Sequence, residues 1–160
     1  MVSLGYYLPD TKIFGIDISP EAVKLTRKNI KKFELENRLT VIKGDLLNPL
    51  LKRNKTNVDI VVSNPPYINS EEMKQLPPEV KKEPEVALKG GEDGLRFYRK
   101  LIPQAVKILR PGGLLAFEIG CKQGEKIKNI LKKNGNYNNI NIFEDYNKRK
   151  RMVFARKNSD

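Results

Sequence analysis

"KIFGIDISPEAVKLTRKNI" (residues 12–30) passes from one periodicity to another. Ile13, Phe14, Ile16 and Ile18 make a short apolar run in which Asp17 stands near the end, the pattern of a buried strand. Ser19 and Pro20 follow where a helix N-cap and first helical residue belong. A serine hydroxyl accepts from an orphan backbone N–H, and proline costs nothing at a position that needs no N–H. Val23, Thr26, Ile30 and Phe33 then recur at helical spacing. Strand, cap and helix together predict a βα unit.

The alternation continues along the chain. "LTVIKGD" (39–45) and "VDIVVSN" (58–64) read as a second and a third strand, and "LLAFEIG" (114–120), after an "RPGG" turn, as a fourth. Between the third and fourth strands lies a Pro/Glu-rich loop, then a helix marked by Leu95, Tyr98, Ile102, Ala105 and Leu109, in which Pro103 predicts a kink or a late start. Ile127, Ile130 and Leu131 share one face of a further helix that Gly135 can end. "NINIFEDY" and "RMVFARK" suit an antiparallel pair at the sheet edge, joined by a basic turn. "MVSLGYYLPD" reads as the last turns of a helix, with Pro9 just past its end. The expected class is α/β with a mainly parallel sheet, and residues 1–160 are read as one domain.

Composition narrows the chemistry. Histidine is absent and Cys121 is the only cysteine, which excludes disulfide frameworks, Cys/His zinc sites, Ser-His-Asp triads and imidazole bases. Cys121 is read as a small apolar residue near a strand end. No metal site is expected. Lys and Arg total 31 against 19 acidic residues, a net charge of +12. That excess suits an anionic partner such as nucleic acid, or equally a set of solvated helix faces; only "NKRKR" (147–151) is dense. With no apolar run long enough for a membrane span and no apolar leader, a cytoplasmic location away from membranes is expected.

Ligands of open α/β sheets bind beyond the carboxyl ends of the strands, where Asp17, Asp45 and Asn64 fall. Asp17 could accept from the vicinal hydroxyls of a ribose, and Asp45 from the exocyclic amine of an adenine covered by Leu46. Each aspartate could instead cap a helix or turn. "SNPPYI" (63–68) is more unusual. Proline at 65 and 66 holds the chain extended and removes two donors, so Asn64 Oδ1 and the Pro65 carbonyl are rigid acceptors for the two hydrogens of a planar NH2 group, with the Tyr67 ring against its face. Two fixed acceptors orient a poor nitrogen nucleophile and stabilise the positive charge that grows as it attacks an electrophilic methyl. A rigid turn is the structural alternative.

"VDIVVSNPPYI" (58–68), "LPPEVKKEPEVALKGGEDGLRFYRKLI" (76–102), "RPGGLLAFEIGCKQGEKI" (110–127) and "RKRMVFARK" (149–157), in this order, resemble the release-factor glutamine methyltransferases, the HemK/PrmC family. The "NPPY" element is shared with DNA adenine methyltransferases; the "EV…EPEVAL…GGEDGL" segment is more specific. The resemblance implies a class I, Rossmann-like fold dependent on S-adenosylmethionine. The methyl acceptor would be the glutamine side-chain amide in the Gly-Gly-Gln loop of a peptide chain release factor. It places Asp17, Ile18, Asp45, Leu46 and Asn64 at the cofactor, with Asn64, Pro65 and Tyr67 catalytic. Pro66, Glu83 and Pro84 join those three residues around the substrate.

Family members carry a helical domain, a first strand and a glycine-rich loop before the point where "MVSLGYYLPDTKIFGIDIS" (1–19) aligns. Weak cofactor binding, an unpaired strand edge and self-association through it are therefore expected. Two alternatives stand beside the release-factor reading: methylation of an amine on DNA or RNA, and a non-catalytic remnant of the family.

Overall fold

The computed structural model describes residues 1–159; Asp160, the last residue of the expected domain, lies outside them. The chain divides into two units, Met1–Asn54 and Lys55 to the C-terminal end.

In the first unit α1 (Val2–Tyr7) leads to β1 (Ile13–Asp17), α2 (Pro20–Lys32), β2 (Leu39–Lys43) and α3 (Asn48–Leu51). Ser19 caps α2 as expected, its Oγ accepting from the Ala22 N–H at 3.1 Å, with Pro20 at the first helical position. β1 and β2 pair in parallel from Ile13↔Leu39 to Asp17↔Lys43. The core is Val23, Ile30, Leu35, Leu39 and Val41, with Met1, Val2 and Ile13 packed against it. Phe33 does not join the helical stripe: it is the C-cap of α2 and 45% exposed. A six-residue helix cannot sustain itself. Arg38 holds α1 instead, donating to the carbonyls of Gly5, Leu8 and Thr11.

The second unit begins with β3 (Val58–Ser63) and continues through α4 (Ser70–Lys74), a 3-10 turn (Val80–Lys82), α5 (Glu85–Leu88), α6 (Arg96–Ile108), β4 (Leu109–Glu118), α7 (Gly124–Asn134), β5 (Tyr137–Glu144) and β6 (Lys150–Lys157). The sheet order is β3-β4-β6-β5, with β3 parallel to β4 and β6 antiparallel to β4 and β5. The C-terminal hairpin is as expected, and Gly135 ends α7 in the left-handed conformation at φ 77°.

Three expectations for this unit change. The Pro/Glu-rich loop holds short helices, the first closed by a capping box between Asn69 and Glu72. Helix α6 starts at Arg96 and runs through Pro103, so there is no late start, and Leu109 opens the following strand. "RPGG" lies within β4, where the pairing shifts from Val58↔Leu109 to Ile60↔Leu114, so the turn is an irregularity in one long strand.

Alternation places Val61, Leu115, Phe117, Val153 and Ala155 on one face of this sheet, all buried, with α6 and α7 packed on the strands. Ile60, Val62, Leu114, Ala116, Phe154, Met152 and Phe143 lie on the other, where Ile60 and Val62 are 54% and 64% exposed. Among the described residues no helix is long and apolar enough to cross a membrane.

Candidate active site

The first unit gathers Asp17, Ile18, Asp45 and Leu46 at the carboxyl ends of two parallel strands. Asp17 is the last residue of β1, and its carbonyl accepts from the Gly44 N–H at 2.9 Å, which ties the exit of β2 to that of β1. Its side chain realises part of the capping alternative: Oδ1 accepts from the Ser19 N–H at 2.8 Å. Oδ2 has no partner among the described residues and Asp17 is exposed, so one carboxylate oxygen is available to a hydroxyl. Ile18, next in sequence, is 52% exposed.

Asp45 is exposed, and Leu46 adopts φ 51°. Left-handed backbone is uncommon for a branched residue and costs about 1 kcal/mol or more, strain of a kind that clusters at ligand sites. Asp45, Gly44, Lys43, Ile42, Asn48 and Pro49 line an open cleft of about 400 Å³, joined by Lys52 and Arg53. Of the residues expected at the cofactor only Asp45 lines this cleft, and its single acceptor carboxylate, with an apolar wall and backbone groups, is a set that fits an adenine. The two lysines and the arginine were not anticipated as its neighbours.

The second unit carries the Asn64–Tyr67 motif directly after β3. Asn64 is exposed and Pro65 buried, and neither Asn64 Oδ1 nor the Pro65 carbonyl has a hydrogen-bond partner among the described residues. The two acceptors expected from the sequence are therefore unengaged. Beyond Tyr67 the chain is strapped at every step. Ile68 forms an isolated parallel bridge with Lys89, donating to the Leu88 carbonyl at 3.0 Å and accepting from Gly90 N–H at 2.8 Å. Ser70 N–H donates to the Glu92 carbonyl at 3.4 Å.

Glu83 and Pro84 are exposed, with extended backbones between the 3-10 turn and α5. The bridge brings Leu88 to Gly90, rather than those two residues, beside the motif.

The loop that follows is fixed by charge. Asp93 Oδ1 accepts from Leu95 N–H at 3.1 Å and from Arg99 Nη1 at 3.0 Å, and Arg99 Nη2 reaches its other oxygen. The Arg99 guanidinium holds the Asp93 carboxyl down to about 2, aided by the Leu95 N–H. Tyr98 is buried, donates to the Glu118 carbonyl at 2.9 Å and stacks edge-on with Phe117; burial pushes its phenol well up, so it stays neutral. Gln123, which the sequence reading did not single out, is the buried polar side chain of this region. Cys121, expected near a strand end, follows β4 but is exposed. The basic turn 147–151 closes on Asp145, which accepts from Asn147 and Arg149 N–H and pairs with Arg151; these contacts, Arg149 first, lower its carboxyl.

A family model described as a methyltransferase domain matches residues 3–158. The release factor glutamine methyltransferase of Moorella thermoacetica is 43% identical over 154 residues, covering 96% of this chain and 53% of that protein. The protein of the same name from Clostridium acetobutylicum is 41% identical over 155 residues, covering 96% and 54%. The chain thus spans about half the length of these relatives.

Among solved structures, the hMettl16 catalytic domain in complex with MAT2A 3'UTR hairpin 6 gives a TM-score of 0.71 at 18% identity, covering 98% of this chain and 59% of that one. A methyltransferase from Pyrococcus furiosus gives 0.66 at 20%, covering 99% and 68%. At these identities the likeness is one of fold.

Proposed function

The chain belongs to the methyltransferase domain family, and from that premise we propose that it methylates the side-chain amide of the glutamine in the Gly-Gly-Gln loop of a peptide chain release factor. The observation that carries the reading is the pair of unengaged acceptors, Asn64 Oδ1 and the Pro65 carbonyl, on a proline-stiffened exit from a parallel strand. The names of the curated relatives support the choice of substrate.

S-adenosylmethionine, when bound, supplies an electrophilic methyl on a positively charged sulfur. Asp17 takes a ribose hydroxyl on its second oxygen. Asp45 accepts from the adenine amine, and Ile18 and Leu46 cover apolar parts of the nucleoside. Asn64 and Pro65 accept the two amide hydrogens of the substrate and Tyr67 and Pro66 wall its plane. The amide nitrogen is thereby aimed, and the positive charge it gains is met by two oxygens already in place. No side chain is required as a base, because the methylated nitrogen is acidic enough to release its proton to water. Glu83 and Pro84, exposed beside α5, contact the release-factor backbone around the glutamine.

Calorimetric titration with S-adenosylhomocysteine, followed by mass spectrometry of a release factor incubated with S-adenosylmethionine and the chain, tests this reading. Binding and one methyl group on the Gly-Gly-Gln glutamine are expected. Binding without transfer, or no binding, contradicts it for the chain alone and favours the remnant reading. A second reading, methylation of an exocyclic amine on RNA, draws on the net charge of +12 and predicts methyl incorporation into RNA instead. Among the described residues β3 pairs with β4 alone, and Ile60 and Val62 are exposed on it. Self-association through that strand is expected to appear as a sedimentation coefficient that rises with concentration.

A further inference from the structure

We propose that Gln123 is the positioning residue of the substrate-amide grip: its side chain fixes where the Asn64–Tyr67 motif leaves β3, so that the two acceptors keep their direction. The inference rests on the reading of that motif as the grip.

Gln123 is 8% exposed. Its Nε2 donates to the Tyr67 carbonyl at 2.8 Å and to the Gly94 carbonyl at 3.3 Å, and its Oε1 accepts from the Gly120 N–H at 3.1 Å. One primary amide thus joins the exit of β3, the loop before α6 and the exit of β4. Gln123 itself is held at the start of α7, its N–H donating to the Gly120 carbonyl at 2.9 Å and its carbonyl accepting from Ile127 N–H at 3.0 Å. The clamp is therefore mounted on a helix whose Ile127 and Leu131 are fully buried.

The surroundings are built around these bonds. A Cβ on Gly94 would stand 2.4 Å from the Tyr67 oxygen and 2.5 Å from Gln123 Nε2, and Gly94 has φ +74°, so both space and backbone demand glycine there. A Cβ on Gly120 would stand 3.1 Å from Gln123 Oε1 and 3.3 Å from Tyr67 Cδ2, so the bare Gly120 makes room for clamp and ring together. On the far side Gly90 admits the motif's backbone, since its Cβ would meet Tyr67 Cα at 2.7 Å and the Pro66 oxygen at 2.9 Å.

The chemistry requires this residue type. Two carbonyls and one N–H converge on one buried point, and a primary amide is the neutral group that donates twice and accepts once. A carboxylate would face two carbonyl oxygens, and a thioether would leave all three groups unpaired. Proline stiffens Asn64 to Pro66 internally, but stiffness without an anchor sets no direction; the Tyr67 carbonyl is the first group past the prolines that the protein holds.

The test compares the chain with Gln123→Glu and Gln123→Met by amide hydrogen exchange followed by NMR, reading Ile68 and Gly90 against the ladder amides of Leu115 and Val153. At pH 8 both variants are expected to lose protection at Ile68 and Gly90 by about ten- to a hundredfold, with the ladder unchanged. In acid the Gln123→Glu carboxyl regains a proton, donates to the Tyr67 carbonyl and accepts from Gly120, so its protection returns in part while Gln123→Met stays low. The carboxyls of Asp93, next to Gly94, and Glu118, two residues before Gly120, are common to every variant, so the wild-type profile is the reference. In transfer assays kcat falls with KM for the cofactor unchanged.

Undiminished protection in both variants, identical behaviour at both pH values, or loss across the whole ladder would each overturn the positioning role. Absence of transfer by the wild-type chain would count against the proposed function and leave the exchange result standing by itself.

Discussion

Asn64 and Leu46 illustrate how single residues carry opposite loads. Asn64 is exposed and makes no hydrogen bond among the described residues, so its side chain contributes little to folding and, on the reading above, much to transfer. Asn64→Ala is therefore expected to leave the melting temperature unchanged and to lower kcat by about a hundredfold or more, the scale of a lost preorganised acceptor. Retained transfer would show that the acceptor is misassigned. Leu46 is half-buried at φ 51°, where glycine would rest without strain. Leu46→Gly is expected to keep the melting temperature within a few degrees, as relief of strain of about 1 kcal/mol offsets lost burial. If Leu46 covers the adenine as proposed, affinity for S-adenosylhomocysteine should fall. Unchanged affinity in calorimetry would remove Leu46 from the site.

At the scale of elements, what the sequence revealed was local. Ser19 and Pro20 start α2, Gly135 ends α7, and the alternation in 139–146 and 151–157 makes a hairpin, because each signal sits within a few residues of its effect. Asn69 and Glu72 carry an equally local capping signal, but the proline pairs at 65–66 and 77–78 argue for loop, and α4 forms between them all the same. Gln123 was illegible for another reason: its partners Tyr67 and Gly94 lie 56 and 29 residues away, and no spacing rule reports such convergence.

The same limit applies to Asp93 and Arg99, which fix the loop before α6. Here the sign of the pH dependence is defined. The folded carboxyl sits at about 2, below its ordinary 3.8. The stabilisation is therefore fully present above about pH 4 and is lost as pH falls through 2. The Leu95 amide shift should hold steady from neutral pH down to about 4 and move with a midpoint near 2, and Asp93→Asn should abolish that transition. A midpoint near 4 would show that the pair is open in solution.

For the whole molecule, the decisive quantity is how unequally the core is shared. The first unit spans Met1–Asn54 with a two-stranded sheet and five buried core residues in its main cluster, each still 3–7% exposed. Units of that size bury a smaller fraction of their surface than larger domains do and are marginal without help. The second unit holds the four-stranded sheet and, among the described residues, all of the largest fully buried side chains, including Tyr98, Phe117, Ile102 and Leu131. Urea unfolding followed by hydrogen exchange is expected to show two transitions, with amides of β1 and β2 released first and those of β4 and β6 last. If Asp17 and Asp45 hold S-adenosylhomocysteine as proposed, it should shift the first transition upward in proportion to the logarithm of its concentration and the second much less. One cooperative transition that moves as a whole would instead show that the two units do not unfold independently.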